Sequence, residues 1–193
     1  MTRLILVRHG ATEWNREGRY QGHSDTPLSA EGVAQAQRLI ERLREEKIAQ
    51  VVSSDLERAR ATARILAEGL QLPPPRFDRR LREIDLGEWE GRLASEIAVD
   101  DAPAWEARNQ NPVDIGAPGG ETTRQLAQRV WSCLDELAAQ VPQGTALVVS
   151  HGLSLATVLC RVRGVPLQQA SEIIPENAEP IEVDWPVGGS AVR

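Results

Sequence analysis

Short apolar runs alternate along the chain with longer segments whose apolar residues recur every three or four positions. Leu4-Ile5-Leu6-Val7, Ile48 to Val52 and Ala146-Leu147-Val148-Val149 are rich in β-branched residues and predict buried strands. Val33, Ala36, Leu39, Ile40 and Leu43 keep helical spacing and predict an amphipathic helix from a Ser29 N-cap to about Lys47. Leu126, Val130, Leu134, Leu137 and Val141 do the same for a long helix from about Thr122 to Val141. Ser53, Ser54 and Asp55 are cap candidates for a helix running to about Leu70, closed by Pro73-Pro74-Pro75. Ser154 to Arg163 predicts a further helix and Ile181 to Trp185 a last strand. This βαβα order predicts an α/β protein: a mostly parallel sheet with helices on both faces, a three-layer α/β/α sandwich.

Three stretches break the pattern. Glu17 to Pro27 is a polar loop, and Arg76 to Gly91 has no helical period. Arg92 to Pro118 is polar and proline-broken, and predicts a small helical excursion lying over a site like a lid. The Gly188-Gly189-Ser190 tail is expected to be mobile. At 193 residues a single domain is the expectation.

Charge narrows the partners. A net charge of −6 argues against nucleic acid, which requires a basic face, so any anion site must be a local cluster of arginines. Cys133 and Cys160 lie in apolar periodic segments and are expected as buried free thiols. With neither a signal-like segment nor an apolar run of membrane-spanning length, a cytoplasmic protein without membrane contact is expected.

The chemistry clusters at strand ends. Arg8-His9-Gly10 follows the first apolar run and Ser150-His151-Gly152 follows a later one, and open α/β sheets bind ligands at the carboxyl ends of their strands. A glycine after each histidine lets backbone N–H groups approach an anion, and Gly152 also opens a helix N-terminus. Arg58 falls in the first turn of the helix after the second strand, at the same edge. Arg8, Arg58, His9 and His151 can thus converge on a pocket suited to a phosphoryl group, whose spread charge rewards arginine forks. Glu83 is the best candidate acid at the rim, with Asp85, Glu88 and Glu90 as rivals. His23 is expected to be solvated or at the substrate edge, and Trp14 to pack the loop beneath the phosphate.

In order along the chain, Arg8-His9-Gly10-x-Thr12-x-Trp14-Asn15, Gln21-Gly22, Ser53-x-Asp55-Leu56-x-Arg58-Ala59, Glu83-x-x-x-Gly87-x-x-x-Gly91, Pro118-Gly119-Gly120-Glu121 and Ser150-His151-Gly152 resemble the histidine phosphatase superfamily. The similarity is to the branch holding cofactor-dependent phosphoglycerate mutases and their small broad-specificity phosphatase relatives, and it extends to about Trp185. It implies a phosphoglycerate mutase-like fold and His9 as nucleophile through a phosphohistidine. Glu83 would be general acid and then base, and Arg8, Arg58, His151 and Asn15 would hold the phosphoryl oxygens. Thr12, Gln21 and Gly22 would contact phosphate or leaving group.

No metal and no cofactor are expected. Two histidines and a carboxylate also describe a non-haem iron triad, but Arg8 and Arg58 would crowd a cation with like charge. Within the resemblance a phosphomonoesterase is favoured over a mutase dependent on 2,3-bisphosphoglycerate. The excursion is short, with only Arg92 and Arg108 as basic residues, and Leu153 stands where mutases resemble one another in having asparagine. A non-catalytic phospho-ligand binder is the reading from another class. The expected partner is a small phosphorylated metabolite, such as a sugar phosphate, a phosphoglycerate or α-ribazole phosphate, and the expected assembly a monomer or homodimer.

Overall fold

A computed structural model describes residues 1–186 and contains a five-stranded sheet flanked by helices. In chain order the elements are β1 (Thr2–Arg8), α1 (Glu13–Glu17), α2 (Ala30–Leu43), β2 (Ile48–Ser53), α3 (Glu57–Gly69) and β3 (Arg76–Phe77). There follow α4 (Ala94–Asp100), α5 (Ala102–Gln110), α6 (Thr123–Gln140), β4 (Thr145–Ser150), α7 (Gly152–Arg163) and β5 (Pro180–Trp185). The sheet order is β3-β2-β4-β1-β5. Four strands run parallel, and β5 pairs antiparallel with β1 at the edge.

The period of two in β1 divides the core. Leu4 and Leu6 pack with Val148, Leu126, Val130 and Leu134 on the face covered by α6 and α7. Ile5 and Val7 pack with Leu39, Ala63, Leu66 and Val149 on the face covered by α2 and α3. Each fully buried side chain of this size contributes about 1.5–3 kcal/mol, so the double-sided run commits β1 to the middle of the molecule.

Element ends depart from the sequence expectations in instructive ways. The Ser29 hydroxyl accepts from the Gly32 N–H as expected, but α2 stops at Leu43 and the chain turns before β2. None of Ser53, Ser54 and Asp55 caps α3. The N-cap is Leu56, and Asp25 reaches in from the polar loop to accept the Glu57 N–H at 2.6 Å. The three polar residues are occupied elsewhere, Asp55 in a two-pronged ion pair with Arg82 and Ser54 against His151.

The excursion is two short helices, α4 and α5, pinned to the body. Ile97 is fully buried, the Trp89 indole donates to Asp101 at 2.8 Å, and Trp105 packs on Trp89 with ring centroids 5.6 Å apart. Cys133 and Cys160 are buried free thiols, and burial pushes the Cys133 thiol up to about 12. No helix among the described residues is long and apolar enough to cross a membrane. The tail at Gly188-Gly189-Ser190 lies outside the described residues.

Candidate active site

Parallel pairing of β1 with β4 puts Arg8 opposite Ser150, so the next residue on each strand is a histidine. The His9 N–H donates to the Ser150 carbonyl at 3.0 Å, and the two imidazoles stand with centroids 5.1 Å apart. Both rings are buried. Burial first, then the Arg58 and Arg8 guanidiniums, push His9 well below its ordinary pKa, and burial, Arg58 and His9 do the same to His151.

Hydrogen bonds assign the tautomers. His9 Nδ1 lies 2.7 Å from the Gly10 carbonyl, which can only accept, so Nδ1 carries the proton and Nε2 keeps its lone pair. His151 Nε2 lies 2.7 Å from Ser54 Oγ, which already accepts from the Leu56 N–H. The Ser54 proton has no other acceptor among the described residues and therefore goes to Nε2, leaving His151 Nδ1 as a buried donor without a partner.

Arg58 is almost fully buried and is aimed by backbone, its Nη1 donating to the Ser24 carbonyl and its Nη2 to that of Gly22, each at 2.8 Å. Its pKa is lowered to about 10, chiefly by burial, which leaves it charged at neutral pH. Arg8 donates to the Pro175 carbonyl at 2.9 Å, and its Nε is buried and unpartnered. Gly152 makes room for it: a Cβ there would stand 2.9 Å from Ile174 Cγ2 and 3.5 Å from the Arg8 guanidinium.

Glu83 meets these groups from the irregular segment after β3. Its carboxylate accepts the Leu153 and Ser154 N–H groups, each at 3.1 Å, so the start of α7 receives a carboxylate of the chain itself. The rival acids are engaged away from the pocket wall: Glu90 accepts from the His23 N–H and Ser24 hydroxyl, and Asp85 from the Gly87 N–H. His23 is half-buried, with Nε2 2.9 Å from the Glu83 carbonyl, and supports that backbone instead of facing solvent.

A cavity of about 270 Å³ opens over this assembly. His9, Arg8, Arg58, Glu83 and Gly152 line it, as do Asn15, Gln21 and Gly22. Two residues of the expected set do not. His151 is wholly buried behind, beside His9. Thr12 is buried as the N-cap of α1, its hydroxyl accepting from the Asn15 N–H and lying 2.9 Å from Gln21 Oε1. The Thr12 N–H thus holds Asn15 Oδ1 and its hydroxyl holds Gln21 Oε1, and the NH₂ groups, free of partners among the described residues, are left as donors at the cavity. Trp14 does not line the cavity either; its ring edge lies against Gly91. The Gly10 N–H is taken by Thr62 Oγ1 at 3.0 Å, so it is not available to an anion. What requires glycine there is the approach of α2, since a Cβ would fall 2.3 Å from the Gly32 carbonyl oxygen.

Arg129 was not singled out from the sequence, yet it organises the acid's segment. Its guanidinium donates to the carbonyls of Arg80, Arg82 and Glu83 and to Glu121, using every donor. The one signal for it was an arginine beside the apolar face of the long helix. Ser54, Arg19, Tyr20 and Arg108 also escaped notice as site residues. Among the described residues no group of three or more His, Cys, Asp or Glu is placed to hold a metal ion.

The buried neutral imidazoles carry a pH signature. An unfolded imidazole titrates near 6.5 and the folded ones well below it. Above pH 6.5 neither state holds the proton and stability is complete; below it the unfolded chain takes up protons that the folded one refuses. Each imidazole therefore removes on the order of 1 kcal/mol of stability by pH 5.5. Urea midpoints at pH 7.0 and 5.5 should show this loss, and His9→Ala should show a smaller one. Equal losses in both proteins would mean that His9 is not held neutral.

Comparison with known proteins identifies a family. The family model of the histidine phosphatase superfamily (branch 1) matches residues 4–193. A protein of Salmonella choleraesuis (strain SC-B67) named "Probable phosphoglycerate mutase GpmB" is 36% identical over 187 residues, covering 96% of this chain and 86% of that protein. Bacillus stearothermophilus YhfR superposes with a TM-score of 0.88 at 34% identity, covering 95% of this chain and 91% of its own. A mycobacterial glucosyl-3-phosphoglycerate phosphatase in complex with VO3 gives a TM-score of 0.83 at 32% identity, covering 93% and 90%. The α-ribazole phosphatase of Shigella flexneri gives 0.86 at 32% identity, covering 94% and 90%. Paired strand-end histidines, two guanidiniums and a rim carboxylate on this sheet, with a match along nearly the whole chain, make the protein a member of the histidine phosphatase superfamily, branch 1.

Proposed function

We propose that the protein is a phosphomonoesterase that hydrolyses a small phosphorylated metabolite through a phosphohistidine on His9. The observation that carries this reading is the His9 tautomer: a neutral ring with its Nδ1 proton held by Gly10 offers Nε2 as a nucleophile beside two guanidiniums.

In the first step Nε2 attacks phosphorus in line, the P–N bond forms and the ester P–O bond breaks. The electron pair leaves on the alcohol oxygen, which takes a proton from Glu83. Arg8, Arg58 and the Asn15 amide hold the phosphoryl oxygens, and Gln21 offers its amide to the phosphate or leaving group. In the second step the Glu83 carboxylate accepts a proton from water as its oxygen bonds to phosphorus. The P–N bond breaks and its electron pair returns to Nε2. Guanidiniums supply the charge compensation that metal ions provide in other phosphoryl-transfer sites.

Relatives are named for both phosphatases and a mutase, so the fate of the phosphohistidine is the question. Leu153 and Ile174 give the cavity an apolar wall, and the excursion contributes one arginine, Arg108, to it. These features favour release to water over return of the phosphoryl group to a bound acid. The test supplies 3-phosphoglycerate with and without 2,3-bisphosphoglycerate and follows inorganic phosphate and 2-phosphoglycerate separately. Phosphate release from phosphate esters without isomerisation is the expected result. Efficient isomerisation dependent on the bisphosphate would assign the mutase. Phosphate binding without turnover of p-nitrophenyl phosphate would assign a binder.

A further inference from the structure

The cavity contains a cation that the phosphoryl scheme does not use. Four arginines line it, Arg8, Arg19, Arg58 and Arg108, and only Arg19 has a carboxylate partner among the described residues, Glu17 at 2.7 Å. Arg8 and Arg58 are accounted for by the transferred phosphoryl group. Arg108, on α5, makes no hydrogen bond or ion pair among the described residues, and its Nε is buried without a partner. Arg92, the other arginine of the excursion, pairs at the surface with Asp100.

An aromatic ring, not a carboxylate, holds Arg108 in place. Its guanidinium lies 5.8 Å from the centroid of the Trp89 ring, which is fully buried and packs in turn on Trp105 of the same helix. Burial lowers its pKa, and Tyr20 lines the cavity beside it. In a chain with net charge −6 an arginine left without an acid beside a ligand cavity is a place for an anion from outside.

We propose that Arg108 binds a second oxyanion on the leaving group, so that the substrate is a compact phosphate ester bearing a carboxylate or a second phosphate away from the scissile bond. This rests on the phosphohydrolase reading of the site. A planar fork matches either oxyanion with two parallel hydrogen bonds, whereas a hydroxyl or amide would accept one bond and leave the charge unanswered. Compactness follows from a cavity of about 270 Å³ that must hold both anionic ends.

The test uses matched substrates. 3-Phosphoglycerate differs from glycerol 3-phosphate by carboxylate against hydroxymethyl, and 1,3-propanediol bisphosphate differs from its monophosphate by the second phosphate. The wild-type enzyme should prefer the anionic member of at least one pair by about tenfold or more in kcat/KM, mainly through KM. The pair with the larger ratio identifies the oxyanion. Arg108→Met keeps an unbranched apolar stem over Trp89 and should bring the ratio to about one, with Arg108→Lys in between. Each ratio is internal to one preparation, so partial loss of folded protein cancels. A wild-type ratio near one in both pairs overturns the proposal, as does an Arg108→Met variant that loses activity on both members equally, the result of a purely structural arginine. Failure of the phosphohydrolase reading looks different: no phosphate release from any substrate, p-nitrophenyl phosphate included.

Discussion

Replacing His9 with alanine should lower turnover of p-nitrophenyl phosphate on the order of 10⁴-fold or more, the scale of losing a nucleophile that works as part of a unit. The fold should survive. The His9 backbone bond to Ser150 does not involve the side chain, and the imidazole's own bond runs only to its neighbour Gly10. Rapid quench of the wild-type enzyme into base should trap radiolabelled phosphoryl on protein, since a P–N bond to imidazole survives base and is lost in acid. His9→Ala should trap none. A variant that kept one-tenth of wild-type turnover, or kept the base-stable label, would remove His9 from the nucleophile's place. His151 offers no ready substitute, because its Nε2 is held by Ser54 and it lies behind the cavity wall.

Glu83→Gln should separate substrates by their leaving groups. An alkyl phosphate needs a proton on the departing oxygen, so its turnover should fall by about 10²–10⁴, the usual contribution of a positioned general acid. p-Nitrophenolate leaves without that help, so His9 should still be phosphorylated quickly. Hydrolysis of the phosphohistidine should then stall for want of a base, and a burst of p-nitrophenol equal to the enzyme present should precede a slow steady state. The substitution keeps one of the two acceptors: an amide oxygen in the place of Oε1 still accepts the Ser154 N–H, while the Leu153 N–H, bound by Oε2, loses its partner, so the urea midpoint of the variant is measured alongside its kinetics. Equal losses on both substrates with no burst would show that Glu83 serves only to organise the start of α7.

Both predictions depend on residues held by contacts far along the chain. Glu83 ends no strand and sits on no helix, and it is placed because Arg129, 46 positions later, gathers the carbonyls of Arg80, Arg82 and Glu83 itself. A guanidinium spent wholly on backbone and one carboxylate is a fixed strut, and charge-assisted bonds of this kind are about twice as strong as neutral ones. Thr12 works the same way at shorter range, turning the oxygens of Asn15 and Gln21 inward so that their NH₂ groups face the cavity.

The sequence by itself determined the layers and the edge that bears the chemistry. Uninterrupted apolar runs cannot be solvated on either face, so β1 and β4 must lie inside, and the Val51-Val52 end of β2 joins them. The polar residues that end them then emerge together at the carboxyl edge. The pairing of His9 with His151 was legible for that reason, and so was Arg58 in the first turn of the following helix. Ser53, Ser54 and Asp55 looked like helix caps because local chemistry favours that use, but tertiary partners took Ser54 and Asp55 and the Ser53 hydroxyl turned to its neighbour's carbonyl. Only the tertiary structure decided which nitrogen of His9 is free, why Gly10 must be glycine, which acid of four faces the cavity, and that Arg108 stands at the cavity without an acid. Periodicity is a property of neighbours in sequence and survives in one dimension. The aim of a side chain is set by the donors and acceptors around it, and these arrive from segments whose separation in sequence bears no relation to their distance in space.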